Sequence, residues 1–184
     1  MKYNLNSIYE EIEKTKSIIL SDPIPSWQEL PTIDLYMDQV IILLNRYLRL
    51  FSANCVDGKF ITPTMINNYV KLKIMPPPLK KKYGKIHLAY LIIICSLKQT
   101  LSMSTIQKII PPTLSECEAE ELYSLFVRNH NSLLNTAMKK IDEALKNDNS
   151  ADKSDNINNA LMQSAITSII TKLITERISD TKYE

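Results

Sequence analysis

The chain of 184 residues contains two glycines, Gly58 and Gly84. Glycine lets a backbone take positive φ or approach another backbone closely, so phosphate-cradling loops, oxyanion turns and tight sheet turns lean on it. A chain this poor in glycine is expected to be mostly helix. Apolar residues make up 45 %, enough for one sizeable core or a small domain with a helical extension, and the charge is too balanced for disorder.

Charge is segregated along the chain. Gly58 to Ser115 holds nine lysines (Lys59, Lys71, Lys73, Lys80, Lys81, Lys82, Lys85, Lys98, Lys108) and no Asp or Glu. The preceding residues carry five bases against eight acids and the following ones eight against twelve, so a net charge of +2 conceals a +9 segment between acidic flanks. A partner that repels carboxylates explains such a pattern, and nucleic acid is the foremost candidate.

Three cysteines (Cys55, Cys95, Cys117) are odd in number, widely spaced and without a CxxC pair, which suits reduced thiols rather than a disulfide framework. The acidic, periodic N-terminus lacks the apolar segment of a signal peptide. The longest apolar run, Leu88 to Cys95, is eight residues, against the roughly 20 that span a bilayer. A cytoplasmic protein with no membrane partner is expected. His87 and His130 have no acid or cysteine at ligand spacing, and GxSxG, P-loop, HExxH and dinucleotide fingerprints are missing. No enzyme activity, metal or cofactor is therefore expected.

A first helix is expected from Asn4 to Leu20, where Leu5, Ile8, Ile12 and Ile19 recur at near-helical spacing before Asp22, Pro23 and Pro25. The Pro-punctuated connector Ser21 to Pro31 carries the one tryptophan, Trp27, read either as a pin to the core or as a base-stacking residue. Thr32 to Phe51 is free of Gly and Pro, opens with Asp34 and Asp38 and closes with Arg46 and Arg49, so one helix matched to its dipole is expected. Asp57-Gly58 then marks either a hairpin turn or an interhelical loop.

Thr62-Pro63-Thr64 reads as a helix start, with Thr supplying a capping oxygen and Pro sitting where its missing N–H does no harm. This helix is expected to reach about Lys73. It gathers Thr64, Asn67, Asn68 and Lys71 within an arc of about 100°, opposite Ile66, Tyr69 and Val70. Asparagine bonds adenine bidentately, and Thr and Lys reach bases or phosphates, so the face suits DNA; a plain solvated face is the other reading. Ile74 to Tyr83 (IMPPPLKKKY) is expected as a rigid loop tipped with charge.

Lys85 to about Thr100 is apolar nearly all round and reads as the central helix, with a buried strand as the alternative for its isoleucine run. Ser102 caps a short helix to Ile110, which Pro111-Pro112 ends. Ser115 and Glu118 form a capping box before a helix of about 30 residues. Asn147 to Asn156 reads as a polar loop. The last helix, Ile157 to Ser179, bears two i+4 apolar ridges, covered either by a symmetry mate or by the monomer's own first helix.

Together, residues 65 to 110 resemble the winged helix-turn-helix of MerR-type regulators. That family writes a recognition helix as TIRYYE, then two spacer positions, GLL, two prolines, a basic wing ending RxY, and two further helices. Here MINNYV (Met65 to Val70) takes the first place, Lys73-Ile74-Met75 the GLL place and Pro76-Pro77 the prolines. Lys81 and Tyr83 match RxY, Leu88, Leu91, Ile94 and Leu97 the next helix, and Ser102-Met103 with Ile106 the last. The wing is shorter, Asn67-Asn68 replaces the usual Arg-Tyr, and Lys73 replaces the turn glycine. The whole chain, including Ser26 to Val40, is also similar to a bacterial family catalogued only as a domain of unknown function and described as MerR-like.

The resemblance implies a mainly α protein in three parts: an N-terminal helix and connector (residues 1–33), a winged helix-turn-helix domain (34–112) and a C-terminal helical hairpin that dimerises or packs (113–184). It implies a homodimeric transcriptional regulator that binds double-stranded DNA sequence-specifically. The contacts would come from Thr62, Thr64, Asn67, Asn68, Tyr69, Lys71 and Lys73, and from Lys80, Lys81, Lys82, Tyr83 and Lys85. Metal-sensing relatives place a cysteine where Cys117 stands, but the loop after the following helix holds none, so a lone structural thiol is expected. A module docking an acidic partner on its basic wing, and a low-specificity architectural DNA binder, are the competing functions.

Overall fold

The computed structural model describes residues 4–21, 23–52, 60–145 and 150–181, and these are mainly helical. They divide into two compact units, Lys14–Val127 and, separately, Met1–Glu13 with Arg128–Glu184. Cys55 and the Asp57-Gly58 connection lie outside the described residues.

Helix α1 (Leu5–Ser21) is capped by Asn4, whose side-chain oxygen accepts from the Ser7 N–H at 3.4 Å. The connector after it contains one 3-10 turn, Trp27–Glu29. Ser26 closes this turn, donating to Glu29 Oε2 from its N–H at 2.7 Å and from its Oγ at 2.8 Å. Those bonds, the backbone one foremost, favour the ionised carboxylate and hold Glu29 below its ordinary 4.5. Trp27 is buried against Tyr123, with ring centroids 6.1 Å apart, so it pins the connector to the core.

The segment expected as one helix from Thr32 to Phe51 is three elements. Leu35–Tyr36 is a short strand, β1, followed by α2 (Met37–Tyr47) and, after a break at Leu48, the single turn α3 (Arg49–Ser52). Strand β1 exists because it pairs antiparallel with β2 (Lys82–Tyr83), in register Leu35↔Tyr83 and Tyr36↔Lys82. A partner so distant in sequence leaves no trace in local periodicity, and the pairing overrides helix preference. At the junction the Tyr36 N–H donates to Gln39 Oε1 at 2.9 Å.

The core of the Lys14–Val127 unit is built around α5 (Lys85–Leu97), preceded by α4 (Pro63–Lys71) and followed by α6 (Met103–Ile109). Every residue from Leu88 to Cys95 is buried, so the isoleucine run is a core helix and the strand alternative falls. Val40 and Leu44 of α2, Ile66 and Tyr69 of α4 and Ile106 of α6 belong to the same cluster. Two tyrosine hydroxyls fasten proline-bearing connectors to it: Tyr90 donates to the Pro111 carbonyl at 2.7 Å and Tyr123 to the Pro25 carbonyl at 2.8 Å. Burial pushes Tyr90 up to about 12 and raises Tyr123 as well, so both stay donors.

Helix α7 (Glu116–Leu145) opens at the expected capping box. Ser115 donates to Glu118 Oε2 from its Oγ at 2.7 Å and from its N–H at 2.8 Å, and these bonds hold Glu118 below its ordinary 4.5. Helix α8 (Ser150–Asp180) starts earlier than expected, because Ser150 to Asn156 is helical rather than loop. Asn, Asp and Ser disfavour helix by less than about 0.7 kcal/mol each, which extension from an adjoining helical stretch readily outweighs.

Candidate nucleic-acid interface

Helix α4 begins where the sequence places it. Thr62 is extended (φ −130°, ψ 158°), its Oγ1 accepts from the Met65 N–H at 3.3 Å, and Pro63 holds the first helical position. This start fixes the rotation of the helix. Ile66 and Tyr69 enter the core, while Thr64, Asn67, Asn68 and Lys71 are exposed. Thr62 itself is half-buried with its oxygen engaged, so it shapes the face without joining it.

The end of α4 is a Schellman turn. Lys73 takes φ 55°, its N–H donates to the Val70 carbonyl at 3.0 Å, and the Ile74 N–H donates to the Tyr69 carbonyl at 3.1 Å. Gln107 of α6 donates to the Leu72 carbonyl at 2.6 Å, so a neighbouring helix supports the same end. Glycine normally fills the left-handed position because other residues bring a Cβ into conflict there. In this chain it is an exposed lysine.

Two more lysines do the same. Lys80 (φ 49°) and Lys81 (φ 63°) are the central residues of a hairpin turn in which the Lys82 N–H donates to the Leu79 carbonyl at 2.9 Å and the Leu79 N–H returns a bond at 3.1 Å. Two positive φ values in a two-residue turn define type I′, which usually calls for Asn-Gly. Among the described residues, Lys73, Lys80 and Lys81 are all the non-glycine residues at positive φ, and no carboxylate pairs with any of them. Gly84, by contrast, has φ −87°. A Cβ there would sit 2.8 Å from Asp34 Oδ1, so a larger residue would turn the Asp34 carboxylate aside.

Directly opposed residues of antiparallel strands project to one face. Leu79, Lys82 and Tyr36 therefore line one side of the small sheet, and Leu35 and Tyr83 the other. The second side is buried; on the first, Leu79 is 72 % and Tyr36 53 % exposed, and the Lys82 Nζ lies 5.1 Å from the centre of the Tyr36 ring. Sequence reasoning missed both exposed residues. Tyr36 falls in the stretch expected as a helix, and only knowledge of its strand partner reveals which way it faces.

Tyr69 and Tyr83, expected at the interface, are core residues at 0 % and 2 % exposure. Tyr83 packs edge-on to His87 with centroids 5.7 Å apart. The His87 Nδ1 accepts from the Gly84 N–H at 3.0 Å and its Nε2 lies 3.1 Å from the Pro77 carbonyl, so the tautomer these bonds require has its proton on Nε2. His87 thus ties the root of the hairpin to α5. The Tyr69 hydroxyl is close enough to Cys95 to perturb it but forms no bond of good geometry. Desolvation pushes the Cys95 thiol up to about 12.

Lys85 is half-buried with its Nζ 4.6 Å from the centre of the Trp27 ring, so it and Lys82 are both held against aromatic faces. The exposed set is then Thr64, Asn67, Asn68 and Lys71 on α4, Lys73 at its end, and Lys80 and Lys81 at the hairpin tip. Neutral donors and acceptors flanked by unpaired cations are complementary to base edges set between phosphates. Among the described residues no group of three His, Cys, Asp or Glu is arranged to hold a metal, and no helix is long and apolar enough to cross a membrane.

A family model described as a domain of unknown function (DUF1836) matches residues 25–127, more than half of the chain. The matched span begins at the residue whose carbonyl receives the Tyr123 hydroxyl and ends with the last residue of the compact unit. No curated protein and no solved structure matches the chain.

Proposed function

The chain belongs to the DUF1836 family, and on the geometry of its own residues we propose that it is a sequence-specific DNA-binding protein, acting as a homodimeric transcriptional regulator of the winged helix-turn-helix kind. One observation carries the reading: among the described residues, exposed lysines occupy all three left-handed non-glycine positions, where glycine would sit without strain and asparagine with less. Each such position stores at least about 1 kcal/mol of strain. Cations kept in spite of that strain point to an anionic partner.

In this reading α4 enters the major groove, with Thr64, Asn67 and Asn68 at base edges and Lys71 on bases or adjoining phosphates. Helix α6 supports α4 through Gln107. The hairpin is the wing, and Lys80 and Lys81, with Lys73, grip the backbone, while Lys82 and Lys85 stay against Tyr36 and Trp27. If each protomer neutralises about four to six phosphates, log K falls with log salt at a slope of roughly −4 to −5 per protomer. Fluorescence anisotropy on a duplex selected from a random pool measures this slope, and absent binding at low salt, or affinity indifferent to salt, overturns the reading. Replacing Asn67 and Asn68 by alanine shifts the sequence preference recovered from the pool, whereas a surface built for an acidic protein has no such preference to shift.

A further inference from the structure

The apolar face of α8 is laid out along a four-residue repeat. Adjacent apolar pairs begin at Leu161, Ala165, Ile169 and Leu173. Four residues overshoot one helical turn by about 40°, so the stripe winds around the helix as it runs instead of staying on one side. No neighbour lying along the axis covers such a stripe. The large apolar side chains from Leu161 to Ile178 are accordingly open, with exposures from 47 % at Ile166 to 65 % at Ile178.

We propose that the α8 face is covered by the same face of α8 from a second copy of the chain, crossing obliquely near Ile169 and Ile170. This rests on the homodimer reading above and assigns its surface. Three observations favour a second copy over another partner. First, eight large side chains about half exposed amount to on the order of 800 Å² of apolar surface. That exceeds the roughly 300–600 Å² patch of an ordinary monomer, and the part of it around the crossing is what a second copy covers.

Second, no Asp, Glu, Lys or Arg occurs from Asn156 to Thr171. At a two-fold contact each residue near the axis meets its own copy, so any charge there would face its like. The charges resume at Lys172, which is paired within the helix to Glu176 at 4.0 Å. Third, a stripe along the i±4 ridge is self-complementary. Two such ridges interdigitate with the helices crossing at about −50°, which concentrates the contact at the middle of the stripe.

Sedimentation equilibrium of the full chain tests this, beside the double variant Ile169→Glu, Ile170→Glu and the α7 control Leu133→Glu, with far-UV circular dichroism to follow helix content. The wild type and the control run at the mass of two chains. The double variant runs at the mass of one, its dissociation constant raised by at least about 100-fold, with helix content kept. A single-chain mass for the wild type overturns both the inference and the homodimer reading. A two-chain mass untouched by the double variant overturns the inference alone.

Oxidative cross-linking supplies a readout without added charge. In a chain with Cys55 and Cys117 replaced by alanine, Ile170→Cys forms a covalent dimer while Leu161→Cys and Ile178→Cys do not. Equal cross-linking at all three positions overturns the oblique crossing, and none at position 170 overturns the contact. Binding of single half-site duplexes, read on the same samples, separates these results from the DNA reading itself.

Discussion

Lys73, Lys80 and Lys81 hold backbone conformations that local sequence rules assign to glycine or asparagine, so local rules locate none of them, and only the family pattern marks Lys73, at the place of a turn glycine. The start of α4 was legible at Thr62-Pro63 because the capping oxygen and the fixed φ act within three residues. Lys73→Gly is expected to raise the unfolding free energy by up to about 1 kcal/mol in urea denaturation, since relief of the Cβ conflict outweighs the added freedom of the unfolded chain. Lys80→Asn with Lys81→Gly also stabilises the hairpin, but it flattens the salt dependence of DNA binding by a slope of about 2. Stability and binding thus move in opposite directions at the tip. Tyr69→Phe removes a buried hydroxyl without a good partner and is expected to stabilise by about 1 kcal/mol; a fall in urea midpoint would show that the hydroxyl is bonded after all.

At the scale of elements, helices whose signals are local were readable and the strand pairing was not. Ser102, Ser115 and Thr62 announce α6, α7 and α4 through side-chain oxygens near the first turn. Strand β1 depends on Lys82-Tyr83, which nothing near Leu35 announces. Thr62→Ala is expected to cost about 1 kcal/mol in thermal or urea unfolding. The capping boxes carry a pH dependence with a definite sign. Glu29 and Glu118 are held below their ordinary 4.5 by bonds from Ser26 and Ser115, so their contribution to stability is full above that value and is lost as pH falls through the lower folded-state value. The protection of the first-turn amides of α7, taken as the exchange rate relative to the intrinsic rate at each pH, should therefore fall on acidification, and Ser115→Ala should remove most of the change.

For the whole molecule, the segregated lysines mark the right stretch of chain, but charge alone does not separate cations held against Trp27 and Tyr36 from those left open to a partner. Nor does it divide the chain into compact units. A fragment of residues 14–127 contains the whole cluster around α5 and is expected to unfold cooperatively as a monomer. It should bind a single half-site within about threefold of the full chain and a paired site more than tenfold more weakly, because the second contact is no longer tethered. The Tyr123 hydroxyl and the Pro25 carbonyl, 2.8 Å apart, tie the first residue of the family-matched span to α7 about one turn before the span's last residue. The span is thereby fastened across itself. Its ends can be joined by a short linker and the chain reopened at the exposed Lys98–Thr100 turn, giving a circular permutant that folds to the same core from a different starting point.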